Sequence, residues 1–395
     1  MAVVVLTLLG LVSWWGWQQW RRPTPPARDS VGRWRPPEIG APPVVGVTSA
    51  PVVPVDTPRI PEVVQAPVAP VEELPPPPLE KDAKPEGVET PKPVSPALPV
   101  PRLEADWNQI PNRPPTNILE AQIALTAYGI GAGSIDGIGG AQTAWALKAF
   151  QFQKGLEETG RLDRETQKEL KFTRPLYRQW VVTLDDLAGL APVPSGWLEK
   201  SRQSQLGHET LLERIAEQSH THPNLLRRLN PSVRWDSVPA GTSLIVPNAA
   251  YPTPRKAALV RISLANRYLR AFDGRGNLLA HFPCSIGRIA EKRPVGELHV
   301  AVVVKDPNYT FDPKVFPESP DAQRVGRKLI IPPGPNNPVG VAWIGLSRPG
   351  YGIHGTPIPE QVGRTESHGC FRLANWNADY LRRMLSVGTP VWVEL

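Results

Sequence analysis

The chain has two cysteines, and one of them, Cys370, stands two residues after His368 and 16 residues after His354. All three lie in YGIHGTPIPEQVGRTESHGCFRL, residues 351–373. A cysteine becomes a nucleophile when a nearby base or cation favours its thiolate. It also needs exposure on a turn and donors for the oxyanion of a tetrahedral intermediate. Ser367-His368-Gly369-Cys370 offers these parts, and Gly369 lets the backbone approach a substrate closely. In an extended segment His368 and Cys370 point to one face. His354 follows a strand-like run, from which a loop could fold it back onto Cys370. Spacing does not choose which histidine is the base. Residue types alone also leave other readings open: an ordinary buried cysteine, a metal site using His368 and Cys370, or a bridge from Cys370 to Cys284.

The elements around these residues are strand-like from about 254 to 395. AALVRISLANRYLRAFD alternates as a strand does, GRGN offers a hairpin turn, and GELHVAVVVKD, VGVAWIGLS and TPVWVEL continue the pattern. Many short strands with Gly/Pro turns predict a β-sandwich or barrel-like domain. NWNADYLRRMLSVG interrupts them as a short helix, with Asn375 as its N-cap and Ala378, Leu381 and Leu385 at helical spacing.

HGTPIPEQVGRTESHGCFRL resembles the signature of the YkuD family, the L,D-transpeptidases. FPCSIGRIAEKRPVGELHV resembles the family's SxGxxxxxTPxG strand and turn, and PPGPNNPVGVAWIGLSRPGYGIHGT resembles the segment leading into the active site. Arg293 departs from the usual Thr before Pro294, a change expected to alter a turn and not the chemistry. The resemblance implies a mainly β catalytic domain over residues 254–395. It implies Cys370 as the nucleophile attacking the diaminopimelate carbonyl of a peptidoglycan stem tetrapeptide and expelling D-Ala. His354 would be the general base, oriented by the backbone carbonyl of Gly355. His368 and the amides of Gly369 and Cys370 would stabilise the oxyanion, Arg372 would hold a substrate carboxylate, and Ser367 would give local hydrogen-bonding support. No metal or organic cofactor is implied. Cys284 is read as a strand residue, since a bridge to Cys370 would block the nucleophile, and Trp343 as core. The acceptor stays open between an amine and water. An L,D-carboxypeptidase on the same scaffold and a non-catalytic wall-binding protein remain the rivals.

Two small modules precede this domain. In 117–173, apolar residues recur at helical spacing between Gly-rich turns, predicting three short helices with Asp163 capping the last. IDGIGGAQTAWALKAFQ and GLEETGRLDRETQKEL resemble the peptidoglycan-binding-like three-helix module. In 177–249, a strand-like WVVT, two helical stretches and a closing GTSLIVP strand predict a βααβ unit. It resembles a degenerate LysM module, carrying GHETL where the family has GDTL and an insertion, AGLAPVPSGWLEKSRQSQL, after the first strand. His220 and His222 are read as surface residues of a helix, because positions two apart do not share a helical face.

The first residues, 1–21, are apolar with a cluster of tryptophans at the end, and read as an uncleaved signal anchor in the inner membrane. Arg21 and Arg22 lie after the span, where the positive-inside rule expects cytoplasm; export is nonetheless the reading taken. Residues 22–116 form a Pro-rich, disordered linker, since 26 of the chain's 49 prolines lie between Pro23 and Pro115. A net charge of +7 suits an anionic wall or membrane surface. No Lys/Arg-rich block or RNA-type motif points to nucleic acid. The expectation is therefore a multidomain enzyme on the periplasmic side of the inner membrane, with peptidoglycan as its partner. Nothing in the sequence sets its oligomeric state.

Overall fold

The computed structural model describes residues 107–287, 290–314, 319–364 and 369–395. The expected anchor at 1–21 and the linker up to residue 106 lie outside these residues, as do Ser367 and His368. Among the described residues no helix is long and apolar enough to cross a membrane.

The first module is helical: α1 (Ile118–Thr126), α2 (Ala141–Lys154) and α3 (Arg164–Glu169). Asn117 caps α1 and Asp163 caps α3, each side chain accepting a bond from an amide of the first turn. Leu125, Ala146, Leu147, Phe150 and Leu170 form its core, each large side chain contributing roughly 1.5–3 kcal/mol by burial. Two buried glutamines fix the loops: Gln122 bonds the 136–138 turn, and Gln151 bonds Thr159, Gly160 and Thr166.

The second module pairs β1 (Tyr177–Val181) with β2 (Ser243–Pro247) antiparallel. Between them run α4 (Leu184–Leu187), α5 (Trp197–Lys200), α6 (Leu211–Gln218) and α7 (Pro223–Leu229). The βααβ order is thus β1, α6, α7, β2, with α4 and α5 inserted. His220 and His222 are not on a helix, which corrects the sequence reading. His220 takes φ +55° in the break between α6 and α7 and stacks on Trp376 at 5.2 Å. His222 is the N-cap of α7, its Nδ1 accepting from the Asn224 amide. Pro223 at the first helical position stops α6 from running on and forces this break.

The third part holds β3 (Leu259–Ser263), β4 (Tyr268–Phe272), β5 (Leu278–Pro283), β6 (Gly296–Lys305), β7 (Tyr309–Phe311), α8 (Pro320–Val325), β8 (Leu329–Ile331), β9 (Ala342–Leu346), β10 (Gly352–His354), β11 (Phe371–Arg372), α9 (Asn375–Met384) and β12 (Pro390–Glu394). Eight of its strands make one sheet, in the order β11-β10-β9-β6-β12-β3-β4-β5. Of the two expected arrangements the barrel-like one is found and the sandwich is not: this is a single sheet, curled until its edges meet. Ser285, two residues past β5, bridges antiparallel to Arg372 of β11. The long strand β6 makes the curl possible: Gly296–His299 pair with β12, Val300–Lys305 pair with β9, and the register shifts between Val300 and Val302. A sandwich and a curled sheet bury the same alternate residues, so alternation could not tell them apart. Val260, Leu269, Phe282, Ile344, Ile353, Phe371 and Leu381 of α9 share the core.

The modules pack on this sheet. Gly131 donates to the carbonyl of His281 and His281 to that of Gly129, so the first module covers the β5 edge. Ile135 and His220 bond the two modules together.

Candidate active site

β10 lies between β9 and β11, antiparallel to the first and parallel to the second. Ile353, Ile344 and Phe371 share one register level and all face the core. Strand alternation therefore turns His354, Trp343 and Arg372, the next level, to the opposite face. Cys370 stands one residue ahead of β11, level with Gly352, and its Sγ lies 3.6 Å from the carbonyl oxygen of Gly350. The base candidate thus sits on β10 and the nucleophile candidate immediately ahead of its neighbour β11. Cys370 and His354 are 5% and 3% exposed. Neither Cys370 nor Cys284 is in a disulfide. Cys284 is wholly buried one residue past β5, where burial pushes its thiol pKa far up.

His354 Nδ1 lies 2.6 Å from the carbonyl oxygen of Gly355. A carbonyl only accepts, so Nδ1 carries the proton and Nε2 is left as acceptor in the neutral ring. Burial, then the Arg372 charge, push the His354 pKa down to about 3, against the opposing pull of the Gly355 bond. The ring is therefore neutral at ordinary pH.

Three supports of this ring were not read from the sequence. Trp343 stacks on it, with ring centroids 5.6 Å apart and planes at 26°. It is only half-buried, which corrects its reading as core. The Trp343 ring lies over Gly352, where a Cβ would come within 2.6 Å of it. The third support is Asn375, which is the first residue of α9 and not its N-cap; Ala374 holds that place without a side-chain bond. Asn375 is used elsewhere: its Oδ1 accepts from the Val341 amide, and its Nδ2 donates to the Pro335 carbonyl and to Glu217 of α6. That oxygen would stand 2.1 Å from a Cβ on Gly355 and 2.0 Å from one on Gly340. Glycine at 355 thus admits the side chain that backs the peptide orienting His354. The one signal in sequence was the glycine next to the histidine.

A Cβ at Gly369 would make ordinary contact with Tyr351 at 3.5 Å, whereas one at Gly287 would meet the Gly369 Cα at 3.0 Å, so glycine at 287 lets its own segment close onto residue 369. Ser285 ties the loops together: its backbone pairs with Arg372 and its Oγ accepts from the Gly363 amide. Arg372 is half-buried, on the same face as His354.

Comparison with known proteins follows this geometry. Residues 257–393 match the family described as YkuD, "L,D-transpeptidase catalytic domain", and residues 115–170 match a "Putative peptidoglycan binding domain". The "Putative L,D-transpeptidase YkuD" of Bacillus licheniformis is 31% identical over 182 residues, 46% of this chain and 91% of that protein. The "Probable L,D-transpeptidase YbiS" of Escherichia coli K12 is 27% identical over 208 residues, 51% of this chain and 67% of that protein. Among solved structures, the L,D-transpeptidase of Xylanimonas cellulosilytica aligns over 72% of this chain and 97% of its own at 17% identity, with a TM-score of 0.30, too low to add weight. The strand-borne Cys/His pair, the helical module ahead of it and the near-complete coverage of a relative of this class agree: the chain belongs to the L,D-transpeptidase family, enzymes of the peptidoglycan cell wall.

Proposed function

We propose that Cys370 forms a thioester with the diaminopimelate carbonyl of a stem tetrapeptide and passes that acyl group to an amine. The observation that carries this reading is the neutral His354, its Nδ1 held by Gly355 and its Nε2 left as an acceptor, on the strand beside Cys370. The thiol proton passes to Nε2 and the sulfur attacks the amide carbon between diaminopimelate and D-Ala. His368 and the amides of Gly369 and Cys370 hold the oxyanion. Collapse breaks the C–N bond, and the imidazolium returns the proton to the departing D-Ala amine. An acceptor amine then attacks the thioester, gives its proton to His354, and the thiol is regenerated. Arg372 holds a substrate carboxylate, and Ser367 supports the loop. The product is a 3→3 crosslink, an attached protein or an exchanged terminal residue. The module at 177–249 is a degenerate LysM-like unit, and residues 1–21 anchor the enzyme on the periplasmic side of the inner membrane.

The test is intact mass of the full chain after incubation with a diaminopimelate tetrapeptide. The expected result is an adduct of the tripeptide acyl group on the wild type and none on Cys370→Ala. Adduct-free wild-type protein, folded and reduced, with no D-Ala released, would overturn the reading. Tripeptide as the sole product in the presence of an amine acceptor would make the enzyme a carboxypeptidase.

A further inference from the structure

His354 is aimed by the Gly355 peptide, and Asn375 Oδ1 backs that peptide. What aims Asn375 comes partly from outside the catalytic domain. Its Nδ2 has two hydrogens, which go to the Pro335 carbonyl and to Glu217 Oε2, each at 3.0 Å. One bond would leave the amide free to tilt about it. Two bonds pin its plane, and with it the oxygen that accepts from the Val341 amide at 3.3 Å. Asn375 is 1% exposed, so its amide depends on these protein partners.

Glu217 lies in the last turn of α6, in the second module, 158 residues before Asn375. Its other oxygen, Oε1, faces His208 Nε2 of the same module at 3.7 Å, so the carboxylate is held from its own side as well. One turn earlier on the same face of α6, Glu213 Oε1 accepts from Asn336 Nδ2 at 2.6 Å. Backbone bonds between Leu206 and both Pro333 and Asn336 join the same two parts. The segment that leads into β9 thus rests on the second module. The two carboxylates do different work there. The Glu213 bond ends on a loop, whereas the Glu217 bond ends on the side chain behind the general base.

The geometry points to Glu217 as a positioning residue of the reaction: it sets the Asn375 amide, and through the Gly355 peptide it sets the direction of His354 Nε2. The second module is then part of the catalytic apparatus, because a helix of that module completes the chain of contacts behind the histidine. This inference rests on the acyl-transfer reading above.

The test compares the full chain with Glu217→Ala, Glu217→Gln, Glu217→Asp and Glu213→Ala. Acylation by the diaminopimelate tetrapeptide is timed by mass spectrometry. In parallel, the imidazole nitrogens of His354 are followed by NMR without substrate. Glu217→Ala is expected to lower kcat about tenfold with KM unchanged, since substrate still binds but the base is misaimed. The His354 Nδ1–H resonance should shift with it. Glu217→Gln keeps an accepting oxygen in place and should stay within about twofold of the wild type. Glu213→Ala removes a bond of the same kind that does not reach Asn375, and should leave kcat and the His354 signal unchanged. If Glu217→Ala does not fold, Glu217→Asp decides: it keeps the charge, draws the oxygen back by one methylene and should lose kcat several-fold. Three outcomes overturn the inference: wild-type kcat in Glu217→Ala or Glu217→Asp, a Gln variant as slow as the Ala variant, or an equal loss in Glu213→Ala, which would make α6 a docking surface only. A wild type that is never acylated would overturn the transpeptidase reading, and the His354 signal would then decide the positioning role by itself.

Discussion

With its Nδ1 proton committed to Gly355, neutral His354 can only accept at Nε2, which is the state a general base requires to take the thiol proton. Its pKa near 3 means that it stays neutral from about pH 4 upward. The acid side of the kcat/KM profile should therefore carry no inflection near pH 6.5 from this ring, and a clear limb there would show the ring to be far less desolvated. His354→Ala should lower the acylation rate by about 10²–10⁴-fold, read by stopped-time mass spectrometry. Gly355→Ala drives a methyl to within 2.1 Å of Asn375 Oδ1. It should cost roughly 1–3 kcal/mol in stability and reduce kcat more than KM, because the displaced peptide also aims His354. The Gly355 carbonyl was legible from the His-Gly pair through the family likeness. The Asn375 support behind it was not, because it comes from α9 and meets residue 355 only in the fold.

The curled sheet depends on contacts that no single strand specifies. Gly129 is the clearest case: at φ +76°, its Cβ would stand 2.3 Å from the Leu279 carbonyl of β5. Gly129→Ala should therefore pull the helical module off the β5 edge, lowering stability by roughly 1–3 kcal/mol and exposing the edge amides to hydrogen exchange. The insertion after β1 also has a role its sequence did not suggest. Trp197 of α5 stacks on Phe311 of β7 at 4.7 Å and 15°, and its amide bonds Asp321 of α8. Leu206 then pairs its backbone with Pro333 and Asn336. The second module thus clamps the β7–α8–β8 excursion ahead of the active-site strands. Trp197→Ala should speed tryptic cleavage at Arg327 and Lys328 several-fold while the sheet stays folded, and unchanged cleavage kinetics would mean that the clamp contributes nothing.

Two wholly buried neutral histidines, His354 and His281, make the whole molecule sensitive to acid. Their folded pKa values lie below the unfolded value of about 6.5. Between pH 6.5 and the folded values the unfolded chain binds more protons than the native one, so stability rises with pH and is lost as pH falls. His354 should remove roughly 2 kcal/mol between pH 7 and pH 5, with His281 acting in the same direction, seen as a lower urea midpoint with little change in slope. A midpoint independent of pH over that range would show that these rings gain protons without unfolding.

The sequence by itself determined the family, and through that likeness it named the candidate carriers of the chemistry. Cys370, His354 and Gly355 are neighbours in one short segment, and a local pattern of residue types survives any change in the way the chain is folded. The helices of the first module and the hairpin turn after β4 were legible for the same reason, since caps, turns and periodicity act within a few residues. The tertiary structure alone decided that the sheet curls and does not form a sandwich, that His220 packs on Trp376, that Asn375 braces a glycine instead of capping its helix, and that the helical module covers the β5 edge. Each of these joins residues far apart in the chain, and such pairings are chosen by packing and by the need to satisfy buried polar groups, which no local pattern contains.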